Sequence, residues 1–136
     1  MNNQLSEKWM TPIIVIMVFV FSVSGCGNQV SSIETSIGTL TVAEAEIVET
    51  LPGSGERAMP GYQILLVWFE GDIEGGDLFE ASEGVYVTGD DKSQTDRFMA
   101  GTVQQRLCVG FTPPSTTKTF TLSWPDNPPI KLVLTK

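Results

Sequence analysis

The chain contains no histidine among its 136 residues. Histidine is the side chain that titrates near neutral pH, and it is the commonest general base in enzymes and a frequent metal ligand. Its absence excludes a Ser-His-Asp or Cys-His arrangement for nucleophilic catalysis. The composition therefore argues against common hydrolytic chemistry, and we expect a protein that is not an enzyme and uses no cofactor.

Basic residues are scarce as well, since 8 Lys and Arg stand against 16 Asp and Glu and the formal net charge is -8. Phosphate backbones and anionic lipid headgroups are attracted by basic surfaces and repelled by acidic ones. We therefore expect no nucleic-acid partner and no electrostatic docking to a membrane.

The longest apolar run lies near the N-terminus, over residues 13–23. A helix that crosses a bilayer needs about 20 apolar residues, so this run is short for a transmembrane span. Lys8 precedes the run, and small residues end it. A basic start, a short apolar run and small residues are typical of a secretory signal peptide, which predicts an N-terminal signal-peptide helix within residues 1–25.

The segment Val23-Ser24-Gly25-Cys26 resembles the lipobox of bacterial lipoproteins. The resemblance implies that the chain is cut before Cys26 and that this cysteine carries a diacylglyceryl group and palmitate-type acyl chains. Two or more acyl chains hold a protein firmly on a membrane. We expect an extracytoplasmic protein anchored to the cell membrane, or to the outer membrane of a two-membrane cell. The alternatives are a transmembrane helix with an incidental cysteine and a signal cut elsewhere.

Acylation of Cys26 leaves Cys108 without a partner, so no intramolecular disulfide is expected. Cys108 lies in a strand pattern and has no second free cysteine to resolve an oxidised form. A small strand residue is favoured over a redox thiol.

Residues 26–37 are mostly small and polar, which predicts a mobile lipidated tether. The folded domain is expected over residues 38–136. Strand-like alternation begins at Leu40 and changes phase at Ala43-Glu44, which predicts a β-bulge or a bend there.

Further strands are predicted from period-two patterns in the rest of the chain. Residues 62–69 are apolar on both faces, as in a central strand. Residues 103–111 alternate and place Cys108 opposite the core side. Shorter strands are predicted around Leu78-Phe79 and over residues 85–87, and the closing strands lie within residues 120–124 and 130–134.

About seven short strands with Gly- and Pro-rich turns predict an all-β fold, an antiparallel β-sandwich of the immunoglobulin type. Residues 38–135 also resemble a family of secreted bacterial domains of unknown function with a telokin-like sandwich. The resemblance is carried by residues 61–67, Ala100-Gly101, residues 107–113 and residues 120–122. These motifs imply strands and turns and carry no chemistry.

The acidic stretch that follows residue 69 contains no Lys or Arg before Lys92. Carboxylate oxygens are ligands that Ca²⁺ prefers, but residues 90–96 lack the glycine and distal glutamate of an EF-hand loop. A solvated acidic loop is favoured over a calcium site, and paired carboxylates of a glycosidase are disfavoured in so small a domain. The candidate metal ligands are Asp72, Glu74, Asp77, Asp90 and Asp91.

Trp68 and Trp124 fall on predicted strands, where core anchors are favoured over an exposed platform for carbohydrate. We expect a membrane-anchored envelope lipoprotein whose sandwich binds an envelope protein or a glycan. The alternatives are an envelope enzyme or calcium-dependent factor that uses the acidic loops, and a structural spacer. An exposed apolar patch beside the loops would favour the binding module, and a pocket with converging carboxylates would favour the enzyme. The absence of both features would favour the spacer.

Overall fold

The computed structural model describes residues 32–135. The predicted signal peptide, the lipidation site Cys26 and the tether residues before Ser32 lie outside the described part of the chain. Within residues 32–135, the structure contains no helix with the length and apolar character that a membrane span requires.

The described chain forms eight strands and one short helix. In chain order they are β1 (Ser32–Thr35), β2 (Gly38–Val48), β3 (Ile64–Gly71), α1 (Gly75–Ala81), β4 (Tyr86–Gly89), β5 (Gln94–Val103), β6 (Arg106–Phe111), β7 (Phe120–Ser123) and β8 (Ile130–Lys131). The strands form a single antiparallel sheet in the order β1-β2-β3-β6-β5-β4-β7-β8, and the sheet is strongly curled. The prediction of an all-β antiparallel fold is confirmed.

Strand β5 joins the two halves of the curled sheet. Its first residues, Gln94 to Asp96, pair with β4, whereas Arg97 to Val103 pair with β6. The curl brings side chains of both halves into one core, and the rings of Phe69 and Trp124 meet edge to face at 5.7 Å between centroids. Such a core, shared by distant strands, stabilises the curl because each half buries the apolar face of the other.

Hydrogen bonds at two places connect strands near one end of the sheet to the C-terminal segments at its other end. The amide of Asn127 donates to the carbonyl of Glu34 and accepts the N–H of Glu34, each at 2.9 Å. Near the bulge of β2, the N–H of Thr135 donates to the carbonyl of Ala45 at 2.9 Å. Both contacts satisfy strand-edge groups that are otherwise open to pairing with another chain.

The central strand and the bulge are where the sequence predicts them. β3 lies between β2 and β6, and all side chains from Ile64 to Phe69 are buried. The register of β2 against β3 shifts between Val42 and Glu44. Leu65, Val67 and Phe69 face the main core, while Ile64, Leu66 and Trp68 form a second apolar cluster on the outer face.

Three local predictions differ from the structure. The sheet begins at Ser32, within the segment 26–37 assigned to the tether, because Ile33 is buried in the main core. The strand predicted around Leu78-Phe79 is wrong, since these residues lie in α1, where Leu78 is buried and Phe79 is 54% exposed.

The continuous strand predicted over residues 103–111 is also interrupted. Gln104 and Gln105 form a two-residue turn between β5 and β6, with φ of 51° and 68°. A two-residue hairpin turn requires positive φ and usually contains Asn or Gly, so two glutamines provide no turn signal in the sequence.

Candidate functional site

The candidate site is an open groove of about 580 Å³ on the outer face of the sheet, at the start of β3. Its apolar lining comes from the β2–β3 loop, β3 and β5, and we call it the apolar groove. The lining side chains are Leu51, Ala58, Met59, Tyr62, Ile64 and Phe98. A volume of this order falls within the range of small-ligand pockets.

One wall of the groove is the β2–β3 loop, residues 49–63. The N–H of Leu51 donates to the carbonyl of Glu56 at 2.7 Å, which closes a small hairpin, and the N–H of Tyr62 donates to the carbonyl of Met59 at 3.0 Å. Gly61, with φ of 90°, allows this second turn. The two turns hold Met59 and Tyr62 outward, 74% and 52% exposed.

Another part of the lining comes from a bulge in β5. Arg97 pairs with Phe111 and Met99 pairs with Gly110, so Phe98 is the extra residue. A bulge changes the direction of a side chain relative to regular alternation. The ring of Phe98 lies against Gly110 and remains 42% exposed toward the groove.

Gln63 connects the β2–β3 loop by hydrogen bonds to the segment that follows β6. Its side-chain amide donates to the carbonyls of Pro114 and Thr117 at 2.8 Å and 2.9 Å. The N–H of Gln63 also donates to the carbonyl of Pro113 at 3.0 Å. These bonds join the loop to a neighbouring segment at several points, so the groove is formed before any ligand arrives.

The lining also contains polar groups, which we call the polar rim: the side chains of Glu56, Arg57 and Thr112 and the hydroxyl of Tyr62. Within residues 32–135, none of these polar groups makes a side-chain hydrogen bond or an ion pair with the protein, since the ion pair in that part of the chain joins Arg106 to Glu44 at 3.2 Å, away from the groove. Arg57 and Tyr62 also line an adjacent recess of about 290 Å³. An apolar lining with open hydrogen-bonding groups at its edge is suited to reversible binding.

Both candidate tryptophans are buried, as the core interpretation predicts. Trp68 and Trp124 are 3% and 4% exposed, so neither presents a face to a glycan. The indole N–H of Trp68 donates to Glu46 Oε2 at 2.7 Å, and the guanidinium of Arg106 lies 4.5 Å from the ring centroid. Trp68 therefore packs in the outer cluster, with the polar side chains of Glu46 and Arg106 in contact with its indole ring.

Cys108 lies in the same outer cluster and is fully buried. Burial raises the pKa of its thiol to about 12, because the nearby Arg106 guanidinium only partly offsets the desolvation of a thiolate. The reactive form of cysteine is the thiolate. A thiol that stays protonated at neutral pH fits a structural role and gives no support to a redox function.

The five candidate metal ligands fall into two separate groups. Asp72 and Glu74 precede α1 and Asp77 lies in its first turn, whereas Asp90 and Asp91 lie in the turn from β4 to β5. In the part of the chain that the structure describes, no three acidic, histidine or cysteine side chains are placed to hold a metal ion.

Asp90 and Asp91 hold the segment that leads into β7. Asp90 Oδ1 accepts from the N–H groups of Lys118 and Thr119, and Asp91 accepts from Ser93 and from the hydroxyl of Thr117. For Asp90 the backbone hydrogen bonds, and for Asp91 chiefly the Ser93 hydroxyl, lower the pKa of the carboxyl group. The two carboxylates therefore have a structural role: they hold the β4–β5 turn against the segment before β7.

The groove residues were not predicted as a site from the sequence. The sequence pattern assigns Tyr62 to the central strand and singles out neither Met59 nor Phe98. The available signal was a large apolar residue directly before a Pro-Gly turn, a position that is usually polar. The position of Phe98 depends on the bulge, which leaves no recognisable pattern in the sequence.

Comparison with known proteins gives no similar protein: no family model matches the chain, and neither the curated proteins nor the solved structures contain a match.

Proposed function

We propose that the protein is a membrane-anchored lipoprotein of the cell envelope whose β domain is a binding module, not an enzyme, and that the apolar groove is its binding site. The observation that carries the proposal is the clustering of Met59, Tyr62 and Phe98, all more than 40% exposed, around one groove beside a loop. Exposed apolar side chains that cluster mark interaction sites, whereas scattered ones need no explanation. A structural spacer has no need of such a cluster.

The anchor part of the proposal is supported by the lipobox-like segment that ends at Cys26. Its test is metabolic labelling with radioactive palmitate in a bacterial host that processes lipoproteins. The wild-type chain and Cys108→Ala should incorporate the label, and Cys26→Ala should not. Incorporation by Cys26→Ala at the wild-type level would refute the anchor and leave the binding site untouched.

We also propose the finer fold assignment, an immunoglobulin-type sandwich similar to telokin-like secreted domains. Its support is the main core, which lies between the half formed by β1, β2, β3 and β6 and the half formed by β4, β7 and β8. An experimental structure would test it. Two layers packed about 10 Å apart would agree with the assignment, and an open half-barrel would contradict it.

The binding site is tested in living cells with a photo-crosslinking amino acid in the full-length chain. Position 59 lies at the groove and position 133 lies elsewhere, yet Met59 and Val133 are equally exposed at 74%. We expect one reproducible crosslinked partner from position 59 and none from position 133. The partner should be lost when Tyr62→Glu is added. Identical products from both positions would contradict the proposal.

A further inference from the structure

We propose that the apolar groove binds a peptide segment that presents one aliphatic or aromatic side chain beside a carboxylate group. This inference rests on the proposed function and specifies the chemistry of the partner. The carboxylate is either the C-terminus of the peptide or an acidic side chain next to the apolar one.

The apolar part of the ligand follows from the lining. Phe98 and Met59 contribute exposed apolar surface to the lining, and Ile64, which is 3% exposed, contributes buried apolar surface. A groove of about 580 Å³ exceeds the volume of one Leu or Phe side chain, so it also has room for the flanking backbone. Burial of such a side chain contributes about 1.5–3 kcal/mol, which is enough for weak and reversible binding.

The carboxylate part of the ligand follows from the side chain of Arg57. Two other arginines are engaged within the domain, because Arg97 donates to the carbonyls of Phe79 and Ser82 and Arg106 pairs with Glu44. Arg57, in contrast, is exposed and makes no side-chain hydrogen bond or ion pair within residues 32–135. Glu56 also lines the groove, and Glu49 lines the adjacent recess with Arg57, so the attraction for a carboxylate is local to the Arg57 guanidinium and is not a property of the whole groove.

A peptide fits the polar rim better than an acyl chain does. The carboxylate of Glu56 can accept a backbone N–H, and the hydroxyls of Tyr62 and Thr112 can donate to or accept from a peptide group. An acyl chain laid across the same rim would remove these groups from water and give them no partner, which is unfavourable.

The test uses the full lipidated chain in nanodiscs, with the methionine methyl groups labelled with ¹³C. The probes are acetyl-Ala-Ala-Phe with a free carboxylate, the same peptide as a C-terminal amide, and octanoate. The Met59 methyl signal, assigned with Met59→Leu, reports binding at the groove. We expect the free acid to shift this signal in a saturable way and to bind about three- to fivefold more tightly than the amide, as an exposed ion pair would give.

Substitution of Arg57 separates the charge from the apolar contact. In Arg57→Gln the acid and the amide should bind with equal affinity, whereas the matched charge change Lys118→Gln should keep the difference. If the wild-type chain binds the acid and the amide equally, the ligand does not need a carboxylate. If octanoate binds as tightly as the peptide, the groove is not specific for a peptide. No saturable shift with any probe at low-millimolar concentration would overturn the inference, while a partner crosslinked from position 59 would still support the proposed function.

Discussion

Phe98 and Gly110 are packed so closely that the glycine cannot carry a side chain without a shift of its neighbours. A Cβ at position 110 would lie 2.8 Å from Phe98 Cε1 and 2.8 Å from Met99 Cγ. Gly110 is therefore the surface on which the Phe98 wall of the apolar groove rests. This contact joins the stability of the sheet to the shape of the candidate site.

Gly110→Ala should displace the Phe98 ring and lower the free energy of unfolding by about 1–3 kcal/mol, the usual cost of overpacking. The matched control is Gly76→Ala in α1, where an added Cβ meets nothing within 4 Å. Because alanine is the better helix former, the free energy of unfolding of Gly76→Ala should rise by up to about 1 kcal/mol. Urea denaturation measures both values. Equal stability of the two variants would contradict the packing described for Gly110.

Glu46→Ala should destabilise the outer cluster, because it leaves the indole N–H of the buried Trp68 without its acceptor. The loss of an acceptor for a buried donor costs about 1–3 kcal/mol. Glu46→Gln keeps a carbonyl oxygen at the same position, so its free energy of unfolding should fall by less than half of the decrease in Glu46→Ala. Denaturation followed by tryptophan fluorescence tests this. If the two variants lose the same free energy, the hydrogen bond to Trp68 has no part in stability.

The turn between β5 and β6 should accept a better pair of residues. Gln104 and Gln105 both have positive φ, a conformation that costs a residue with a side chain on the order of 1 kcal/mol. Replacement by Asn-Gly, the pair preferred in such turns, should raise the melting temperature. The control is Gln105→Ala, which keeps the requirement for positive φ and should give no gain. A melting temperature unchanged by Asn-Gly would show that the turn is not strained.

Asp91 should contribute to stability in a pH-dependent way. Its hydrogen bonds lower the carboxyl pKa in the folded state from the ordinary value of 3.8, so the ionised form is bound more favourably in the folded chain. The stabilisation is complete above 3.8 and is lost as the pH falls through the folded-state pKa.

Thermal unfolding across the acid range tests the role of Asp91. Asp91→Ala should melt below the wild type at pH 7, and the difference should narrow below the folded-state pKa. The control Asp72→Ala removes an exposed acid that accepts no hydrogen bond within the described chain, and it should melt close to the wild type throughout. A difference for Asp91→Ala that stays constant with pH would contradict the assignment.

The strands that could be predicted are those whose side chains alternate or are apolar throughout. β3 is apolar on both faces because it lies in the middle of the sheet, and β7 alternates because it covers one side of the core. The phase change at Ala43-Glu44 predicted the bulge in β2 because a bulge inserts one residue into a period of two. In each case the information is local.

The features that escaped prediction depend on contacts between distant parts of the chain. α1 is seven residues long and packs along β5, and so short a helix forms through tertiary contacts more than through its own propensity. β1 has only four residues, and its Ile33 becomes buried when the other strands are in place. Neither segment has a distinctive pattern of its own.

By itself, the sequence determined the all-β class and most of the buried residues, because the two-residue period of a strand is written in consecutive side chains. Only the tertiary structure decided where the apolar groove lies. Its walls, Met59 and Phe98, are far apart in the chain, and they meet because β3, β6 and β5 are neighbours in the sheet and a bulge directs Phe98 onto Gly110. Strand order and register are non-local properties, so the site exists only once the sheet has formed.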